Sequence, residues 1–128
     1  MPYTPGLKKI FDIKIVMELV GKMPGKKVVL TGGVFDFLKP YHIDLFDFAG
    51  DRSDIVVVAV ESAGKYTPVK ERLEILEAVD KIDYLFSYSD ETDLNGIGEL
   101  AGEVIFNDEF ELSRDKISFS EKVIRFLP

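Results

Sequence analysis

A lysine and the chain's sole histidine lie close to a pair of glycines in the segment "VVLTGGVFDFLKPYH". Gly32 and Gly33 follow a short β-branched run, and Lys39 and His42 flank the predicted start of a helix. Glycine lets the backbone approach a ligand closely and adopt a positive φ, and the N–H groups at a helix N-terminus favour an anion. A lysine ammonium and an imidazole would add two further donors. The chemistry that this segment could perform is therefore phosphate binding.

The same spacing also fits a tight turn from a strand to a helix, with an exposed lysine and a solvated histidine. Two glycines are weak evidence on their own. The segment matches neither the G-x-x-x-x-G-K-[ST] loop nor the G-x-G-x-x-G loop. The residues alone leave both interpretations open.

Composition limits the class of protein. The 128 residues suit one domain, over 1–128, and a hydrophobic content of 46% is normal for a globular core. A net charge of −7 argues against a nucleic-acid partner, and no apolar run approaches the roughly 20 residues that span a membrane. The absence of cysteine excludes disulfides and thiolate metal sites. Because "MPYTPGLKK" lacks the order of a signal peptide, a cytoplasmic location is expected.

An N-terminal helix is predicted over about residues 12–22, before the first strand. Apolar residues recur there at helical spacing, at Ile13, Val16, Met17 and Val20. We expect this stripe to pack on the sheet or on a partner subunit.

Strands and helices alternate after that helix. "KKVVLT" predicts a first strand that ends at Thr31, and a helix follows from Pro40 to about Ala49, closed by Gly50. "DIVVVAV" is apolar throughout, as a strand buried on both faces should be. "TPVKERLEILEAVD" predicts a second helix that Thr67 caps and Pro68 opens. Its predicted apolar face consists of Val69, Leu73, Leu76 and Val79.

The remaining elements continue the alternation. "IDYLFS" predicts a third strand, Asp90 to Leu100 a weak helix, and "EVIFN" a fourth strand. "SFSEKVIRF" predicts a last helix whose capping box runs from Ser118 to Glu121. This order predicts an α/β fold, a parallel sheet of four or five strands with helices on both faces. Ligands of such sheets bind beyond the carboxyl ends of the strands, where the strand order switches, so the loop after strand one is the expected site.

The motif around this loop resembles that of the cytidylyltransferase-like nucleotidyltransferases. Their pattern "G-x-F-D-x-x-H-x-G-H" aligns with the segment from Gly33 to His42. "PVKERLEILEAVDKIDYLF" is similar to a later family segment and places Arg72 on the family arginine. "KISFSEKVIRF" is similar to the family's "I-S-T-T-x-x-I" motif, with Ser118 and Ser120 on hydroxyl positions. The likeness is greatest to the heptose-phosphate adenylyltransferases of lipopolysaccharide core biosynthesis.

The resemblance implies a three-layer, Rossmann-like nucleotidyltransferase fold and a reaction. A phosphorylated sugar or polyol attacks the α-phosphate of ATP or CTP, and pyrophosphate leaves. It places His42 and Lys39 on the two catalytic histidine positions, with Mg²⁺ bridging the phosphates and no metal ligands in the protein itself. A homodimer is also expected. The nucleotide-binding positions that it implies are Thr31, Gly32, Gly33, Val34, Phe35, Asp36, Tyr41, Arg72, Ser118 and Ser120.

Three departures from the family pattern bear on activity. Lys39 replaces the first motif histidine, and Tyr41 replaces the motif glycine, where the family needs bare backbone. A family loop between strand three and the serine motif is missing around "NGIGELAGEVIFND". Two functions are therefore weighed: an active nucleotidyltransferase, and a degenerate relative that binds a nucleotide or a protein without turnover. A generic flavodoxin-like domain is the weakest alternative.

Several of these residues have a simpler interpretation as well. Asp36 either orients the loop or lies near a metal, and aspartate is also a common turn residue. Arg72 is either near phosphate or an exposed charge on its helix. The capping box already accounts for Ser118.

Overall fold

The computed structural model describes residues 8–64 and 66–106 of the chain. Its four strands are β1 (Val28–Gly33), β2 (Ile55–Glu61), β3 (Tyr84–Tyr88) and β4 (Glu103–Phe106). Its α-helices are α1 (Ile13–Gly21), α2 (Pro40–Arg52), α3 (Val69–Glu77) and α4 (Asn95–Leu100), and a 3₁₀-helix over Glu91–Leu94 leads into α4. The predicted last helix lies outside the described residues.

The four strands form one parallel sheet in the order β3-β2-β1-β4. Thr31 in β1 lies opposite Val58 of β2 on one side and Ile105 of β4 on the other. Strand β1 is therefore an interior strand, as the expected site requires. The predicted α/β class, with a parallel sheet between helices, is confirmed.

Hydrophobic cores cover both faces of the sheet. Alternate residues of β2 point to opposite sides, so that Val56 and Val58 pack with helices α2 and α3, and Val57 packs with α1 and α4. Every residue of β2 from Ile55 to Val60 is buried, which is why the run is apolar throughout. Helix α1 lies against the sheet as predicted, with Val16 and Val20 buried.

Strand β1 extends two residues beyond its predicted end. It ends at Gly33 rather than Thr31, because Gly32 and Gly33 pair with Ala59 and Val60 of β2. Glycine has little intrinsic preference for strands. Pairing with β2, and at Gly32 with β4 as well, outweighs that preference.

Two helix boundaries also differ from prediction. Helix α2 continues through Gly50 to Arg52, since Ala49 is buried against the core and Ser53 donates its hydroxyl hydrogen to the Ala49 carbonyl at 2.8 Å. Helix α3 begins at Val69, with Pro68 at the N-cap position. Thr67 does not cap that helix, because its hydroxyl donates a hydrogen bond to the Asp36 carbonyl instead. The predicted apolar face of α3 is confirmed, as all four of its residues pack into one core.

The N-terminal segment protects the edge of β3. Ile10 forms a parallel bridge with Leu85, and the N–H of Phe11 donates to the Leu85 carbonyl at 3.0 Å. The side-chain ammonium of Lys9 donates to the Val79 carbonyl at 2.9 Å. In the part of the chain that the structure describes, no helix has the length and apolar character needed to cross a membrane.

Candidate functional site at the carboxyl edge of the sheet

The strand order places a switch point beside β1. The chain proceeds outward from β1 through β2 to β3, and β4 then returns to the other side of β1. Connections on the two sides of such a point leave in opposite directions, and ligands of open α/β sheets bind in the crevice between them. The loop from β1 to α2, residues 34–39, lies at this edge, where the sequence predicts the site.

This loop contains a strained residue. Phe35 has a φ of 53°, in the left-handed region that bulky residues seldom adopt. The positive φ that the sequence suggests at Gly32 and Gly33 falls here instead, because both glycines are strand residues. The Phe35 ring is buried and packs against the rings of Phe46 and His42, with centroids 5.6 and 5.2 Å away. Burial of the ring stabilises the strained backbone.

His42 is buried in the first turn of α2, with only 4% of its surface exposed. Its Nδ1 accepts a hydrogen bond from the backbone N–H of Lys39 at 2.8 Å. Because a backbone N–H can only donate, Nδ1 carries no proton, and the neutral ring holds its proton on Nε2. The solvated histidine of the simpler interpretation is therefore wrong, and the imidazole has a defined tautomer and orientation.

The two replaced motif residues, Lys39 and Tyr41, both lie near this histidine. Tyr41 is half-buried, and its ring centroid is 4.4 Å from that of His42, with the rings inclined at 51°. Lys39 immediately precedes α2, and its side chain is exposed. The ammonium can therefore reach an anion at this edge, while the tyrosine ring covers one side of the imidazole.

Arg72 is almost fully buried, with 1% of its surface exposed, and it bonds to backbone carbonyls. Its Nε donates to the Thr67 carbonyl at 2.8 Å, and its Nη1 donates to the carbonyls of Val34 and Glu61 at 2.6 and 2.7 Å. Its Nη2 donates to the Ser62 carbonyl at 3.0 Å. Arg72 is not the exposed helix charge that the sequence allows. It joins the loop after β1 to the end of β2.

Asp36, in the loop after β1, adds contacts to Arg72 and Thr67. Its Oδ1 lies 3.7 Å from Arg72 Nε and accepts from the Thr67 N–H at 3.3 Å. The Thr67 hydroxyl donates to the Asp36 carbonyl at 3.1 Å. A Cβ at Gly64 would lie 2.6 Å from Asp36 Oδ1 and 2.7 Å from Arg72 Nη2, so a larger residue fits only if these two side chains shift. We refer to Asp36, Gly64, Thr67 and Arg72 as the loop clasp.

Comparison with known proteins identifies relatives of the chain, although no protein-family model matches it. The bifunctional protein HldE of Desulfatibacillum aliphaticivorans is 31% identical over 97 residues, which are 68% of this chain and 20% of that protein. HldE of Geobacter sulfurreducens is 30% identical over 112 residues, covering 78% of this chain and 23% of its own length. The chain is a relative of the HldE proteins. It spans about a fifth of the length of the HldE relatives it matches.

A solved structure supports the fold. The lipopolysaccharide core biosynthesis protein from Thermoplasma volcanium superposes with a TM-score of 0.50 at 20% sequence identity. The superposition covers 64% of this chain and 96% of that one. The superposition supports the parallel-sheet nucleotidyltransferase-like fold, and the HldE matches support the relationship that the motif predicts.

The structure gathers most of the residues that the motif implicates at this edge, but in different roles. Gly33 ends β1, Val34 contributes a carbonyl to Arg72, and Phe35 packs on His42. Thr31 and Gly32 lie lower in the strand, both buried. Ser118 and Ser120 lie outside the described residues. Among residues 8–64 and 66–106, no group of three or more histidine or acidic side chains is placed to hold a metal ion.

Sequence reasoning missed two members of the clasp. Gly64 and Thr67 belong to no motif, and the sequence predicts that Thr67 caps a helix. The sequence does indicate burial of Arg72, because it lies among Val69, Leu73 and Leu76 at the spacing of the buried face of α3. An arginine on an apolar stripe indicates a guanidinium that has protein partners rather than solvent.

Proposed function

We propose that the chain is a nucleotidyltransferase-type domain that transfers a nucleotidyl group from ATP or CTP to a small phosphorylated sugar or polyol. The observation that carries this proposal is the position of His42 and Lys39. Both lie where α2 begins, beside an interior strand at the switch point of the sheet. The relationship to the HldE proteins supports the same chemistry.

The reaction requires charge stabilisation more than a base. An oxygen of the acceptor's phosphate forms a bond to the α-phosphorus, and the bond from that phosphorus to the bridging oxygen breaks, so pyrophosphate leaves. Catalysis of such a displacement consists of alignment and of donors aimed at the oxygens on which charge develops.

The residues at the carboxyl edge supply such donors. His42 carries its proton on Nε2, since Nδ1 accepts from Lys39, and this N–H is the proposed donor to a phosphate oxygen. The Lys39 ammonium, on an exposed and flexible side chain, neutralises phosphate charge. Mg²⁺, if it enters with the triphosphate, would offset part of the negative charge of the phosphates.

A second candidate function is a degenerate relative that binds a nucleotide or a protein without turnover. The ring of Tyr41 favours it, because the ring packs against His42 at the position where the family pattern has glycine. Arg72 favours it as well, because the backbone carbonyls already occupy its guanidinium.

Pyrophosphate release distinguishes the two candidates. The full chain is incubated with Mg²⁺, ATP or CTP, and a panel of sugar and polyol phosphates. An active enzyme releases pyrophosphate only when an acceptor is present, and His42→Ala lowers the rate by about 100-fold or more, as the loss of one transition-state donor does. No release with any acceptor, together with measurable nucleotide binding in calorimetry, supports the second candidate. A homodimer stays a prediction, which light scattering of the full chain checks.

A further inference from the structure

We propose that Arg72 is a positioning residue for His42 and does not bind phosphate. The proposal rests on the proposed function only in naming His42 as the phosphate donor. The geometry that carries it is the path from the guanidinium through Val34 and Phe35 to the imidazole.

The path begins at a short hydrogen bond. Arg72 Nη1 donates to the Val34 carbonyl at 2.6 Å, across 38 residues of sequence. The next residue, Phe35, has the strained φ of 53° and places its ring 5.2 Å from the His42 ring. The guanidinium thus holds the peptide group between Val34 and Phe35, and the Phe35 ring packs on the imidazole.

The same guanidinium is anchored at the end of the sheet. Nη1 also donates to the Glu61 carbonyl, and Nη2 donates to the Ser62 carbonyl, both where β2 ends. These hydrogen bonds therefore fix the loop after β1 relative to the central strand β2. A planar fork of donors makes several such bonds at once, which a lysine ammonium on a flexible stem does not reproduce.

A phosphate role for Arg72 conflicts with its contacts. Four of the five N–H groups of a guanidinium donate here to carbonyls, and the side chain is 1% exposed. A phosphate would have to displace these bonds and leave buried carbonyls without donors, which is costly. Asp36, beside Nε, would in addition repel the anion.

The sole histidine makes the proposal directly measurable. In ¹H–¹⁵N spectra of the full chain, the ring of wild-type His42 is expected to show one neutral tautomer, with the proton on Nε2. Arg72→Lys, at a temperature where circular dichroism shows a folded protein, is expected to give an average of both tautomers. Val20→Ala is the control, because Val20 lies in the core on the opposite face of the sheet and its loss destabilises without touching the loop.

A milder variant keeps the test decisive if Arg72→Lys does not fold. Thr67→Val removes only the hydroxyl bond to the Asp36 carbonyl, and it is expected to shift the His42 signals in the same direction by a smaller amount. Unchanged His42 signals in folded Arg72→Lys, or in Thr67→Val if the lysine variant is unfolded, overturn the proposal. Averaging of the two His42 tautomers in Val20→Ala would overturn the proposal as well. Nucleotide binding is measured separately, so failure of the proposed function leaves this readout intact.

Discussion

The ring of Tyr41 packs on the imidazole of His42 with centroids 4.4 Å apart. The imidazole also packs against the Phe35 ring, with centroids 5.2 Å apart, and His42 is only 4% exposed. This contact decides how open the candidate site is to a nucleotide, and it leads to the first prediction.

Replacing Lys39 with histidine and Tyr41 with glycine together should improve nucleotide binding. The change restores bare backbone and adds an imidazole donor, whereas the wild type is expected to bind ATP and CTP only weakly because of the Tyr41 ring. Calorimetry with Mg²⁺ on both proteins measures the difference. Ile43→Gly is the control for the roughly 1 kcal/mol that a glycine costs inside a helix, since Ile43 is exposed in the same turn. Tight wild-type binding that the double change weakens would show that Tyr41 is part of a working site.

Gly64→Ala should lower the free energy of unfolding by about 2–4 kcal/mol, in the range for breaking a buried network. The added Cβ would lie 2.6 Å from Asp36 Oδ1 and 2.7 Å from Arg72 Nη2, so the clasp has to open. Gly21→Ala is the matched control, because a Cβ there meets nothing within 4 Å. Urea denaturation of both variants checks this. Equal stabilities would mean that the clasp adjusts at no cost.

Thr67→Val should lower the free energy of unfolding by about 1 kcal/mol, the usual worth of one hydrogen bond. The hydroxyl donates to the Asp36 carbonyl across the two loops. Thr92→Val serves as the control, since the Thr92 hydroxyl also donates to an aspartate, Asp90, but at an exposed position. Its expected loss is below about 0.5 kcal/mol. A larger loss for Thr92→Val than for Thr67→Val in thermal and urea unfolding would contradict the role given to Thr67.

Thr31→Val should raise the free energy of unfolding by about 1 kcal/mol, because an unpaired buried hydroxyl carries a desolvation cost. Thr31 is fully buried, and within the described part of the chain its Oγ1 has no hydrogen-bond partner. Valine keeps the branched shape and suits an interior strand. If the valine variant instead loses stability in urea denaturation, the hydroxyl has a bonded partner such as a buried water.

Acid should weaken the start of the 3₁₀-helix at Asp90. The pKa of Asp90 is lowered, chiefly by the hydrogen bond from the Thr92 backbone N–H and then by the Thr92 side chain. A lowered pKa means that the folded state prefers the carboxylate. The contribution is therefore complete above the pKa of the unfolded chain and is lost as the pH falls through the folded value. The protection factor of the Thr92 amide, the intrinsic exchange rate divided by the observed rate at the same pH, should fall over that range in the wild type, and Asp90→Asn should abolish this fall.

The sequence by itself determined the class of fold and the place of the motif at the end of an interior strand. The uninterrupted apolar run of β2, the stripe of α1 and the alternation of elements are properties of local periodicity, and burial on two faces of a parallel sheet imposes that periodicity. The motif that ends at His42 follows an interior strand, as the pattern indicates.

Only the tertiary structure decided what the individual residues of the site do. Strand pairing drew Gly32 and Gly33 into β1 and moved the positive φ to Phe35. Arg72 became the centre of the loop clasp through carbonyls of residues up to 38 positions away, and two side chains from elsewhere occupy the space of a Cβ at Gly64. Every residue carries a carbonyl, so no side-chain pattern marks the ones that a buried guanidinium will reach. That choice depends on how the loops after β1 and β2 meet in space.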